Sequence, residues 1–82
     1  MPQTYVALDL ETTGLDAERD AIIEVGAAKF RRDELLDEFS TFVDPGRRIP
    51  HDITVLTGIT DQDVRGAPQL YDVLPDLNRF VG

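Results

Sequence analysis

The run Val6-Ala7-Leu8-Asp9-Leu10-Glu11-Thr12-Thr13-Gly14-Leu15 constrains this chain more than any other stretch. It reads as an apolar strand that carries two carboxylates, one residue apart, into a tight Thr-Thr-Gly turn. Side chains on a strand alternate between faces with a period of two, so Asp9 and Glu11 point the same way. Their Cα atoms are expected ~7 Å apart at the usual rise per strand residue. Two anionic oxygen donors so placed reach a pair of hard metal ions ~3.5–4 Å apart, the spacing used for in-line phosphoryl displacement. The plainer account makes Asp9 a turn cap and Glu11 a solvated acid. An ionised acid inside an apolar strand is costly without a partner, which favours the metal reading.

The rest of the chain supplies a small set of elements around that strand. Tyr5 to Leu10 is nearly all apolar, as expected of a strand buried on both faces. Asp16 to Asp20 is polar and is expected to form the loop after the turn. Ala21 to Phe30 reads as a second strand, and Gly26 within it suggests close backbone approach to a neighbour. Arg31-Arg32-Asp33 reads as a hairpin turn into a third strand from Leu35 to Val43. Connections this short favour antiparallel neighbours, because a parallel pair needs a crossover. Asp44-Pro45-Gly46 ends the sheet.

Beyond it, a short helix is expected from Asp52 to Thr57, stopped by Gly58. Thr60 is placed to cap a further turn that has Asp61 and Asp63 at its positive end. Gly66-Ala67-Pro68 breaks the chain again. Leu70, Val73, Leu74, Leu77 and Val81 fall at helical spacing and predict an amphipathic C-terminal helix, with Pro75 as a kink or a restart.

Composition narrows the function classes. Eighty-two residues allow one small domain, and 41% hydrophobic content is enough for a modest core. No stretch is long and apolar enough to cross a membrane, and no secretory pattern opens the chain. The absence of cysteine excludes a disulfide framework and a thiolate metal site, and a cytoplasmic location is the default. The formal charge of −8 argues against a broad electrostatic footprint on duplex nucleic acid. It is compatible with a metal site, since bound divalent ions reverse the local field that a phosphate meets. A single strand fed end-first into a pocket fits this charge better than a long duplex.

The opening motif resembles the first motif of the DEDD family of 3'-5' exonucleases, of the DNA polymerase III epsilon-subunit type. Ala21-Ile22-Ile23-Glu24-Val25-Gly26-Ala27-Ala28 is similar to that family's second strand, and Phe42-Val43-Asp44-Pro45 to the end of its third. Leu56-Thr57-Gly58-Ile59-Thr60 resembles its Gly-Ile-Thr segment. Four segments in the right order over about three-quarters of the chain are far more specific than a lone Asp-x-Glu.

The resemblance implies an α/β, ribonuclease-H-like exonuclease fold, of which residues 1–82 are the N-terminal portion: a three-stranded antiparallel meander followed by helices. It implies Mg²⁺ or Mn²⁺, two ions per complete site, with Asp9 bridging both and Glu11 holding the ion that activates water. Thr12, Thr13, Gly14 and Leu15 would meet the terminal nucleotide, Gly14 by allowing it to approach closely. Ile59 and Thr60 would line the cleft or serve as packing. The substrate implied is the 3' end of single-stranded DNA, with short RNA as the alternative, in a DNA polymerase or a fused helicase or polymerase. The family's other two acids and its His or Tyr base are expected beyond Gly82.

Alone, the chain is therefore expected to bind metal weakly, to have little or no nuclease activity, and to hide its first strand's edge by self-association. Glu24 is expected to be structural, and His51 a surface loop residue and not the base. Two other readings remain open from the residues: a phosphatase of the haloacid-dehalogenase type with Asp9 as nucleophile, and a truncated or degenerate domain serving as a protein-interaction module.

Overall fold

A computed structural model describes residues 3–16 and 19–82. Residues 17 and 18 of the expected loop lie outside the described residues. Three strands, β1 (Thr4–Thr12), β2 (Ile22–Arg31) and β3 (Glu34–Phe42), are followed by helices α1 (His51–Thr57), α2 (Asp61–Val64) and α3 (Leu70–Val81). The strands form one antiparallel sheet in the order β1-β2-β3. The meander and the helices after it match the expected opening portion of the ribonuclease-H-like exonuclease fold.

Each connection has a local cause. The β2–β3 hairpin turns through Arg32, whose φ of 56° is the single positive value outside glycine among the described residues. Helix α1 ends where Gly58 takes a left-handed conformation (φ 78°), and its N–H returns to the Thr54 carbonyl. Thr60 and Asp63 form a reciprocal capping box at the start of α2. Helix α3 runs through Pro75. The proline removes the donor for the Tyr71 carbonyl, and Tyr71 is 84% exposed, so water can take that acceptor.

Two apolar clusters hold these pieces together. Val25, Val43 and Val73 are buried beneath α3, with Ile22, Phe39, Leu70 and Leu77 against them. Phe80 extends this contact, its ring 5.8 Å from that of Phe39 and 4.8 Å from the Lys29 ammonium. At the far end of β2, Ile23 packs with Ile49, Ile59, Val64 and Ile53, which seats α1 and α2. The β1–β2 register shifts at this end: Glu11 opposes Glu24, Thr12 opposes Ile22, and Ile23, buried in step with Val25 and Ala27, is the extra residue.

Several expectations are corrected. β1 is the outer strand of the sheet, not a strand buried on both faces: Tyr5 is 62% and Leu8 54% exposed. An apolar sequence records what a strand is suited to bury, and β1 has a neighbour on one side alone among the described residues. On α3, Leu74 and Val81 are exposed and do not join the inner stripe, which Leu70, Val73 and Leu77 supply. His51 is exposed as expected, but it begins α1 and does not lie in a loop. Gly26 does not mark a close backbone approach, since an added Cβ would stand 3.9 Å from the Asp9 carbonyl oxygen, an ordinary contact.

Replacing Ile23, which is wholly buried, with Ala is expected to cost about 2–5 kcal/mol, whereas Leu56→Ala on the exposed side of α1 should stay within about 0.5 kcal/mol. Urea unfolding of both variants checks this. Equal shifts in midpoint would mean that the Ile23 cluster does not anchor the helices.

Candidate active site

The β1–β2–β3 register determines what surrounds the two acids. Asp9 lies opposite Gly26, which lies opposite Ser40, and Glu11 lies opposite Glu24, which lies opposite Phe42. Directly opposed residues share a face, so Asp9, Glu11 and Glu24 rise from the same side of the sheet. Leu8, Ala27 and Phe39 belong to the other side, as do Leu10 and Val25. That side carries α3, so the carboxylates face away from the α3 core.

Small residues leave room around Asp9. With glycine opposite it, and Ala28 and Ser40 nearby, the sheet surface sinks into an open depression of ≈ 360 Å³ bordered by Asp9, Gly26, Ala28, Glu38 and Ser40. This is what Gly26 contributes in place of the expected close approach. Asp9 is exposed and Glu11 half-buried, and no hydrogen-bond or ion-pair partner falls to either carboxylate among the described residues. Both therefore present free, hard oxygen donors of the kind Mg²⁺ and Mn²⁺ take. No group of three or more potential ligands converges among the described residues.

Glu24 was expected to be structural, with nothing in the sequence to place it near the two acids. It stands directly across from Glu11 and diagonal to Asp9. The signal lay in the hairpin pairing, which spacing along the chain does not reveal. Like charges directly opposed across a strand pair repel.

Beyond Glu11 the chain enters a tightly bonded turn. The Thr12 hydroxyl donates to the Gly14 carbonyl at 2.5 Å. Thr13, 4% exposed, donates its N–H to the Ala21 carbonyl and accepts the Ala21 N–H at its hydroxyl oxygen, both at 2.9 Å. Its hydroxyl proton goes to Asp20 Oδ1 at 2.9 Å, while Asp20 Oδ2 accepts the Asp16 N–H at 2.8 Å. A Cβ on Gly14 would lie 2.5 Å from Asp20 Oδ2, so the close approach that needs this glycine is made by Asp20. Leu15 projects fully into solvent. Thr12, Gly14, Leu15 and Asp20 border an open cavity of ≈ 670 Å³ that extends to Val43 and Leu70.

The remaining expected residues sit elsewhere. Ile59 is buried against Ile23, and Thr60 is occupied as the α2 cap, so packing and capping account for both. The Arg47 guanidinium donates to the Arg19 carbonyl.

A sequence model of the exonuclease family (RNase_T) matches residues 6–82. The chain is 51% identical over 78 residues to the PolC-type DNA polymerase III of Clostridium perfringens, an alignment covering 95% of this chain and 5% of that protein. The PolC-type enzyme of Bacillus subtilis is 44% identical over 80 residues, 98% of this chain and 6% of the relative. The DNA polymerase III subunit epsilon of Treponema pallidum is 42% identical over 77 residues, 94% of this chain and 36% of the subunit. The chain thus spans a small part of the PolC-type relatives and about a third of the epsilon subunit.

The Glu11–Glu24 opposition predicts that Glu24→Gln stabilises the fold by about 0.5 kcal/mol at neutral pH and low salt, a gain that shrinks as salt rises. Thermal unfolding at two ionic strengths checks it. A loss of stability would mean that the carboxylate, and not merely the side chain's shape, is needed there.

Proposed function

The chain belongs to the exonuclease family, and on that premise we propose that residues 1–82 are the N-terminal portion of a metal-dependent 3'-5' exonuclease domain that trims single-stranded DNA. The observation that carries this reading is the placement of Asp9 and Glu11 on one open face of β1, without partners among the described residues, just ahead of the Thr12–Leu15 turn. Asp9 and Glu11 would hold two divalent ions, Mg²⁺ or Mn²⁺. When bound, such ions lower the pKa of water and stabilise charge on the leaving oxygen.

The chain's own residues do the rest of what this portion contributes. Asp9 and Glu11 project their oxygens from a paired strand, which holds them more rigidly than a loop would. The turn presents backbone and Leu15 to the terminal nucleotide, where apolar contact with a base requires no particular sequence. Further acids and a general base complete the site from other segments of the protein. Similarity to PolC-type and epsilon-type polymerase subunits supports a place beside a DNA polymerase, hence a proofreading task.

One observation favours a second reading. The unpaired, apolar edge of β1 offers backbone groups for strand addition, as a protein-binding module would.

Asp9→Ala or Glu11→Ala in the intact protein is expected to lower Mg²⁺- or Mn²⁺-dependent release of nucleotides from a 3'-labelled single strand by about 10²-fold or more. Release that persists undiminished in both variants, or that survives chelation, would sink the reading. Binding to a polymerase partner that outlives a complete lack of nuclease activity in the wild type would leave the interaction module.

A further inference from the structure

Asp20 belongs to none of the expected catalytic or substrate-binding residues, yet its carboxylate meets Thr13, Gly14 and Asp16 at once. Its two oxygens are divided between two donors, Oδ1 taking the Thr13 hydroxyl at 2.9 Å and Oδ2 the Asp16 N–H at 2.8 Å. Its backbone N–H also closes on the Asp16 carbonyl at 2.8 Å, so residues 16 and 20 are joined twice. The carboxylate stands so close to Gly14 that a Cβ there would lie 2.5 Å from Oδ2 and force the Asp20 side chain to shift. The Thr13 hydroxyl is fully used, accepting from Ala21 N–H and donating to Asp20, and Thr13 is the one buried polar residue among the described residues.

We infer that Asp20 is the positioning residue of the Thr12–Leu15 turn, latching it through Thr13 and Asp16 so that Leu15 and the turn backbone are held out for a nucleotide end. The inference rests on the exonuclease reading and extends it to a residue that touches neither metal nor substrate. The chemistry of the latch is specific. Two N–H or O–H donors need two acceptor oxygens, which a carboxylate supplies and a carboxamide does not. In an Asp20→Asn variant the amide nitrogen must face either the Asp16 N–H, a donor against a donor, or the Thr13 hydroxyl. In the latter case the hydroxyl would receive two protons and leave its own unplaced. Glutamate is longer by one methylene and meets Gly14, already in contact with the shorter acid.

The latch acts on how well the turn is held before the nucleotide arrives. Contacts made equally in ground and transition states change KM and leave kcat alone. A residue that merely supported folding would instead lower the fraction of competent protein, so apparent kcat would fall while KM stayed constant.

The test uses the intact protein, a 3'-labelled single-stranded oligonucleotide and Mg²⁺, with amide hydrogen exchange at Asp16 and Ala21 as a readout independent of catalysis. Asp20→Asn is expected to raise KM about tenfold with kcat within about twofold, and to speed exchange of the Asp16 amide. Thr13→Val should do the same, Thr13→Ser should recover most of that loss by restoring the hydroxyl, and the Asp20→Asn/Thr13→Val pair should be no worse than either single variant. Faster exchange at Asp16 with an unchanged KM, a fall confined to kcat, or additive losses in the pair would each overturn the positioning role. A wild-type protein that releases no nucleotide would overturn the exonuclease reading itself and the positioning role with it.

Discussion

The antiparallel pairing of β1 with β2 is the constraint on which the rest of the molecule depends. Its register sets Gly26 opposite Asp9 and Glu24 opposite Glu11, which at once opens space beside one acid and crowds the other. It also assigns Leu8 and Leu10 to the α3 side and the carboxylates to the other. A slip of one residue would exchange these faces, turning the acids toward the α3 side and Leu8 and Leu10 away from it.

The shift at Glu11 and Thr12 then joins site to core. Ile23, the extra residue on β2, packs in the cluster with Ile49, Ile59 and Val64. Its backbone carbonyl still receives the Val43 N–H at 2.9 Å, keeping β3 in line. The strand that carries Asp9 and Glu11 thus ends against a packed anchor on one side and enters the Thr13–Asp20 latch on the other. On the proposed reading, acids that hold ions gain from being fixed at the end of the strand that carries them.

What was legible in the sequence follows the range of the interactions concerned. Gly58 as a helix stop and Thr60 with Asp63 as a cap depend on neighbours three or four residues away, and both are as expected. The strand alternation that puts Asp9 and Glu11 on one face is equally local. The edge position of β1 was expected, but the exposure of its Tyr5 and Leu8 was not, because apolar content reports suitability for burial and says nothing of what covers a strand. Glu24 required the pairing partner of Glu11, thirteen positions on, and Asp20 required the path of a polar loop back to Thr13. Gly14 was expected to let a nucleotide approach, and in the structure it is the Asp20 carboxylate of the same chain that stands against it.

The electrostatics of the candidate face explain how an acidic protein can suit an anionic substrate. Lys29, the sole lysine, is on the α3 side over the Phe80 ring, and Arg79 is paired with Asp76 on α3. Neither cation relieves Asp9, Glu11 and Glu24, which share the opposite face. A cation that settled between these acids would lessen their mutual repulsion, so ion binding and fold stability would be linked in the same direction. A phosphate approaching the bare face would be repelled. With divalent ions in place the local field changes sign while the rest of the surface stays negative, so attraction is confined to the strand end where Asp9, Glu11 and the turn meet. On the proposed exonuclease reading, such a surface would discourage duplex binding along its length and favour the capture of a single terminus.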